Sequence, residues 1–219
     1  MLEELPPVPL PGDWDGALLA PIAEINQRLL ESLRDMANGA TVATVATGVT
    51  GAGRQPRLVT QLEQEWRRLD PLSLQRLSHC PYLLVDAAFG EPARWEQLLA
   101  SAVGEAAVPG GYFAGPQGVS LVRATLLLAW HLARSNRLSA RMLLGMDGRS
   151  AERIGASRLQ DLEALAEQGA SWIVPRWERA PLVWQQLLRA ARGEAASPLR
   201  AVQLRGLQLI AATCSRPRA

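Results

Sequence analysis

A glycine-rich segment at residues 48–55 has the residue spacing of a phosphate-binding loop. Such a loop needs a lysine that reaches the phosphates and a Ser or Thr hydroxyl that holds Mg²⁺. The chain has Arg54 and Gln55 at these two positions, and Pro56 then lacks a backbone N–H group that could face the ligand. We therefore interpret the segment as a surface loop.

The histidines and cysteines are the other residues that suggest chemistry. His79 and Cys80 are adjacent, whereas His131 and Cys214 lie far along the chain. A metal site needs three or four converging ligands, and a Cys–His nucleophile needs a third group that orients the base. The sequence contains neither pattern. We predict a protein that is not an enzyme, with no catalytic residue, metal or cofactor, and we expect His131 to lie in a helical core.

Arginines at helical spacing form the strongest candidate for a binding surface. Arg134, Arg137 and Arg141 recur at intervals that place them on one helical face, and Arg149 and Arg153 follow closely. A basic face of this kind contacts phosphates and gains affinity by releasing counterions. The same spacing also fits arginines that are simply solvated. DNA binding, partner binding and a solvated face are therefore all left open.

The seven tryptophans are more typical of packing than of ligand binding. They stand at helical spacing or just outside predicted helices, where large aromatic side chains stabilise cores and interfaces. Trp95, Trp177 and Trp184 are the predicted core or interface anchors.

Charge divides the chain into two halves. Residues 1–109 hold eight arginines and 14 acidic residues, which gives a net charge of −6. Residues 110–219 hold 15 arginines and seven acidic residues, which gives +8. This separation favours a basic surface for an anionic partner, or docking of one half onto the opposite half of another molecule.

Composition predicts a soluble globular protein of the cytoplasm. Hydrophobic residues make up 48% of the chain, as is usual for a globular protein. No apolar stretch is long enough for a membrane span, and the N-terminus has neither the basic nor the apolar region of a secretory signal. Two cysteines cannot form a disulfide framework of the secreted kind.

The apolar spacing predicts an all-α protein, a helical bundle of two related halves with little or no strand. Three short runs, at 41–47, 83–85 and 172–174, are the candidates for extended structure. The first long helix is expected to begin at Pro21. The predicted segments are a Pro-rich arm over 1–13, an acidic helical half over 14–103, a Gly/Pro linker over 104–119, a basic helical half over 120–196, and a C-terminal helix with a basic tail over 197–219.

The two halves share a short sequence pattern. Pro-x-x-Trp-x-Gln-Leu-Leu occupies residues 92–99 and recurs 89 residues later at 181–188. Just before these blocks, an offset of 88 places Phe89 opposite Trp177. We interpret the pattern as an internal duplication. Its two copies could then pair within one chain as a pseudo-dimer.

A resemblance to a known family covers residues 120–180. The residues that carry it are Leu126-Leu127-Leu128-Ala129-x-His131-Leu132, then Asn136-Arg137-x-x-Ala140-x-Met142-x-Leu144-Gly145-Met146, then Leu159-x-x-Leu162-x-x-Leu165-Ala166-Glu167, and Arg176-Trp177. This segment resembles the FlhD family of flagellar transcriptional regulators, in which a Leu-rich helix precedes a short Ala/Met helix that ends in Leu-Gly. The Arg-Trp pair stands where that family has Arg-Phe. The N-terminal half resembles the family only through the internal repeat.

The resemblance implies an all-helical, dimerising transcription-factor subunit that binds promoter DNA together with a partner, FlhC in the family. This chain is nearly twice the length of FlhD, and no cysteine near Ile173 matches the intersubunit disulfide of some members. The expected function is that of a non-enzymatic regulator that acts through a protein partner and contacts DNA as part of a complex, either as an oligomer or as an intrachain pseudo-dimer. The alternative is a helical scaffold or accessory protein of a flagellar or secretion apparatus.

Overall fold

Helix dominates the structure, as the sequence predicts. The computed structural model describes residues 16–39, 57–101, 112–113, 115–167, 172–193 and 195–214. The first half contains α1 (Gly16–Ala37), α2 (Arg57–Gln61), α3 (Glu63–Arg67), α4 (Pro71–Ser78), β1 (Val85–Asp86) and α5 (Pro92–Ser101). The second half contains α6 (Gly115–Ser135), α7 (Arg137–Leu144), α8 (Gly148–Ala156), α9 (Leu159–Glu167), β2 (Val174–Pro175) and α10 (Pro181–Arg192), and α11 (Ala196–Cys214) follows. None of these helices is long and apolar enough to cross a membrane.

The one strand pairing among the described residues joins the two halves. β1 and β2 run antiparallel, with Val85 opposite Pro175 and Asp86 opposite Val174. Each strand begins at the last residue of a predicted extended run, 83–85 or 172–174. The third predicted run, the Pro-rich arm and the glycine-rich segment at 48–55 lie outside the described residues.

The register of this pairing is that of an approximate two-fold axis. Adding 89 to the number of a β1 residue gives its β2 counterpart, so each residue pairs with the counterpart of its neighbour. Every antiparallel pair has this reciprocity, so the pairing is compatible with a two-fold relation, and the adjoining backbone supplies the independent evidence for it. Ala88 and Trp177 are also 89 apart, and both have positive φ, 52° and 55°, which is uncommon outside glycine. The correspondence between the halves therefore extends to backbone conformation.

Helix packing follows the same two-fold order. In the first half α4 packs against α1, and in the second half α9 packs against α6. The helix after each strand crosses to the other half, because α5 packs against α8 and α9 whereas α10 packs against α3 and α4. The buried apolar side chains consequently form one cluster that spans both halves.

The structure corrects the sequence alignment of the halves by one residue. The two positive φ values are 89 residues apart, so Ala88, and not Phe89, is the counterpart of Trp177. The additional residue of the second half lies in α9, which has one residue more than α4, so it does not disturb the strand pairing.

Two predicted boundaries are also wrong. α6 begins at Gly115, inside the predicted linker over 104–119. Glycine serves close packing there, because a Cβ on Gly118 would lie 1.8 Å from the carbonyl oxygen of Phe113. α1 begins at Gly16, so Pro21 lies within the helix, on its exposed side near the N-terminus.

The predicted tryptophan anchors lie in or against the core. Trp95 and Trp184 are fully buried. The Trp95 ring stacks on Phe89, and the Trp184 ring centroid lies 5.5 Å from that of Trp66. Trp177 is half-buried and packs edge-on against a neighbouring tyrosine, with centroids 5.6 Å apart.

Gly206 allows α11 to pack closely on the first half of the chain. It is buried, and a Cβ at this position would lie 2.1 Å from the hydroxyl oxygen of Tyr82 and 2.5 Å from its Cζ. Tyr82 is itself fully buried and has no room to move away. The interior glycine of α11 is therefore a packing requirement.

Replacing Gly206 by Ala is expected to lower the free energy of unfolding by about 1–3 kcal/mol, because an added methyl group overpacks the contact with Tyr82. Gly148→Ala is the matched control, since Gly148 begins α8 with no atom near its missing Cβ. It should leave stability unchanged or slightly raised. Urea denaturation measures both, and an unchanged midpoint in Gly206→Ala would contradict the packing argument.

Candidate partner-binding surface

The predicted arginine face is divided between two helices. α6 ends at Ser135, and the Asn136 side chain accepts a hydrogen bond from the N–H of Ser139, which caps the start of α7. Arg134 therefore belongs to α6, whereas Arg137 and Arg141 belong to α7. The prediction of a single helical face was wrong because a capping asparagine interrupts the helical period.

Each of four candidate arginines has a partner within the chain. Arg134 donates to the carbonyl of Gly155 at 3.3 Å, and Arg141 donates to the carbonyl of Cys214 at 3.2 Å. Two others form ion pairs, Arg137 with Glu152 at 3.7 Å and Arg153 with Glu96 at 3.1 Å. Such exposed contacts are weak, so a stronger anionic partner can displace them. Arg149 lies exposed in the first turn of α8.

His131 is exposed, contrary to the prediction of a core histidine. The buried residues next to it, Leu128 and Leu132, both lie on one side of its position around α6. His131 falls on the outer side of the helix, close to Leu127 and Arg134. The imidazole therefore belongs to the same surface as the arginines.

A buried guanidinium holds the junction between the halves. Arg176 is 7% exposed, and its Nε donates to the carbonyl of Leu83 at 2.7 Å. Its Nη2 donates to the carbonyls of Val85 and Leu144 at 3.2 and 2.6 Å. Burial lowers the pKa of Arg176, and the nearby Asp86 carboxylate opposes that shift. The side chain thus connects β1, β2 and the end of α7.

Asn26 performs a similar structural role in the first half. The fully buried amide donates from Nδ2 to the carbonyls of Ser78 and Tyr82, and its Oδ1 accepts from the N–H of Leu84. These bonds tie α1 to the segment between α4 and β1. The sequence named Arg176 only in the Arg-Trp pair of the resemblance and predicted the buried role of neither residue. A polar residue within an apolar period, such as Asn26 between Ile25 and Leu29, was a usable signal.

A surface cleft of about 460 Å³ lies between α4, α10 and α11. Its basic lining residues are Arg76, His79 and Arg200. Arg76 donates to the carbonyl of Gly193 at the end of α10, and the His79 ring lies 2.7 Å from the carbonyl of Gln75 near the end of α4. Helix C-termini attract positive side chains, so helix capping accounts for two of these three residues.

The geometry of this surface indicates which ligands it can bind. Comparisons with family models, curated proteins and solved structures found no match. The candidate arginines lie on helices α6, α7 and α8, and four of them contact carbonyl or carboxylate partners within the chain. This arrangement can bind carboxylates or phosphates without any covalent step.

The thiols are poorly suited to nucleophilic chemistry. Cys80 is buried, and that burial raises the pKa of its thiol to about 12. Partial burial also raises the pKa of the Cys214 thiol, although Arg141 opposes the shift. A nucleophilic cysteine needs the opposite shift. In the part of the chain that the structure describes, no three His, Cys, Asp or Glu side chains are grouped to hold a metal ion.

Proposed function

We propose that this chain is a non-enzymatic regulatory protein that acts by binding a protein partner, as FlhD-family subunits do. The β1–β2 pairing is the observation that carries the proposal. Two equivalent strands meet in a two-fold register, which is how the strands of two identical subunits would meet. The halves of one chain thus take the place of a dimer, which is the assembly that the resemblance implies.

We propose DNA contact only for the complex of this chain with its protein partner. The α6–α8 arginines are already engaged with carbonyls and with Glu96 and Glu152, and the first half of the chain carries a net charge of −6. Both features weaken binding of the isolated chain to a polyanion. A partner that displaces these contacts, or adds its own basic surface, would complete the DNA-binding site.

The purified chain is expected to be a monomer of 23.7 kDa, because its two-fold interface is satisfied within the chain. Size-exclusion chromatography with light scattering measures the mass directly. An obligate symmetric dimer would contradict the pseudo-dimer, since the two-fold surface would then be formed between chains.

Replacing Arg137, Arg141 and Arg149, which lie outside helix α6, by Met is expected to weaken DNA binding by the complex with a partner recovered from native lysate. Each lost phosphate contact should reduce the log–log salt slope by roughly 0.9. The control replaces Arg57, Arg68 and Arg94, exposed arginines of the acidic half, and should leave the slope unchanged. Absence of DNA binding with or without the partner would favour the scaffold alternative.

A further inference from the structure

Helices α1 and α6 occupy equivalent places in the two halves. Each packs against the helix that precedes the strand of its own half, α4 or α9. Their burial patterns coincide at an offset of 96: buried positions 22, 25, 26, 29, 30, 33, 36 and 37 of α1 correspond to buried positions 118, 121, 122, 125, 126, 129, 132 and 133 of α6. The outward-facing residues of the two helices can therefore be compared in pairs.

The outward-facing residues of the two helices differ in chemistry. The pairs, with the α1 residue first, are Glu31 and Leu127, Arg34 and Trp130, Asp35 and His131, and Asn38 and Arg134. Both members of each pair have the same degree of burial, so core packing does not explain the difference. α1 presents charged and amide groups, whereas α6 presents apolar, aromatic and basic groups.

Apolar and basic side chains together form a surface that we call the α6 edge: Leu127, Trp130, His131, Arg134 and Leu159. Leu127 and Leu159 are 37% and 42% exposed. The Trp130 Nε1 donates to the carbonyl of Ser157 at 3.1 Å, which holds the indole beside the start of α9. The Arg134 guanidinium lies 4.8 Å from the centre of the Trp130 ring. Such a surface fits an amphipathic segment that carries both leucines and carboxylates.

The equivalent face of α1 is closed to such a segment. Glu31 accepts a hydrogen bond from Gln27 at 2.6 Å, and Arg28 pairs with Glu24. None of the large apolar side chains exposed on the described residues belongs to α1. The carboxylates of Glu31 and Asp35 would also repel those of an acidic segment.

We propose that the α6 edge binds one acidic amphipathic segment of a protein partner and that the equivalent face of α1 binds none. A dimer of identical subunits would offer two identical sites. Here the paired positions differ, so each chain offers one site, and one partner binds per chain. This inference rests on the proposed partner-binding function and adds the location, chemistry and stoichiometry of the contact.

The probe is a synthetic helical peptide with leucines at positions i, i+3, i+4 and i+7 and glutamates at its other positions. Titration calorimetry with the full chain should give one peptide per chain. Leu127→Glu and Arg134→Asn each give α6 the residue of α1, and each should weaken binding at least tenfold. Glu31→Gln is the control on α1 and should change nothing. A peptide with lysines in place of the glutamates should not bind.

Several results would overturn the inference: no peptide binding, two peptides per chain, equal binding of the lysine peptide, or unchanged affinity in both α6 variants. Thermal melting checks that the variants fold. If Leu127→Glu does not fold, the Arg134→Asn variant is the test, because Arg134 is exposed and its replacement should not disturb the core. Self-association that Leu127→Glu abolishes would identify a second copy as the occupant and would also overturn it. A monomeric chain that fails only the peptide test leaves the proposed function standing, whereas an obligate dimer contradicts that function first.

Discussion

Replacing Arg176 by Met is expected to lower the free energy of unfolding by at least about 3 kcal/mol, because it leaves buried carbonyl groups without a donor. The guanidinium bonds to the carbonyls of Leu83 and Val85 at β1 and of Leu144 at the end of α7, which are two separate parts of the chain. Water cannot take the place of the guanidinium as a donor to these carbonyls, because the Arg176 side chain is only 7% exposed. Urea denaturation followed by circular dichroism measures the loss.

Arg179→Met is the matched control, because Arg179 lies three residues later and is exposed. It should change stability by no more than about 0.5 kcal/mol. Arg176→Lys should recover only part of the loss, since an ammonium group lacks the planar fork that reaches several carbonyls at once. Equal stability of the Arg176→Met and Arg179→Met variants would show that the buried bonds do not stabilise the junction.

Helix positions were predictable because their cause is local. Apolar residues at intervals of three and four residues mark the buried faces of α1, α6, α9 and α10, and the structure buries those faces. The short strands were predictable for the same reason, since each begins with a β-branched valine at the end of an apolar run. Their pairing joins residues 88 and 90 apart, and only the repeated Pro-x-x-Trp pattern gave a sequence signal for it.

The candidate surface was harder to predict because its geometry depends on contacts distant in sequence. The spacing of Arg134, Arg137 and Arg141 is the same whether the helix continues or is interrupted at Asn136. The burial of Arg176 is set by carbonyls 32 to 93 residues away, which no local pattern reveals. His131 follows an apolar run, yet its angular position on α6 places it outside. The period of the helix, more than the local composition, decides exposure.

Truncation of Trp95 or Trp184 to Ala is expected to lower the free energy of unfolding by about 3–5 kcal/mol, because each removes a large aromatic side chain from the core. The two residues are 89 apart, occupy the fourth position of α5 and of α10, and are both fully buried. Similar losses in the two variants would support their structural equivalence. Full stability of either variant would remove the best support for the repeat.

Substitution by Phe distinguishes the two tryptophans, because only one of their indole N–H groups has a hydrogen-bond partner among the described residues. The Trp184 Nε1 donates to the carbonyl of Arg176 at 2.6 Å, whereas the Trp95 Nε1 has no hydrogen-bond partner among the described residues. Trp184→Phe therefore removes packing and a buried hydrogen bond, and Trp95→Phe removes packing alone. Trp184→Phe should be the more destabilising by about 1 kcal/mol, the usual net contribution of one such bond. Urea titration of the two variants side by side measures the difference, and a larger loss in Trp95→Phe would show that the bond to Arg176 contributes nothing to the junction between the halves.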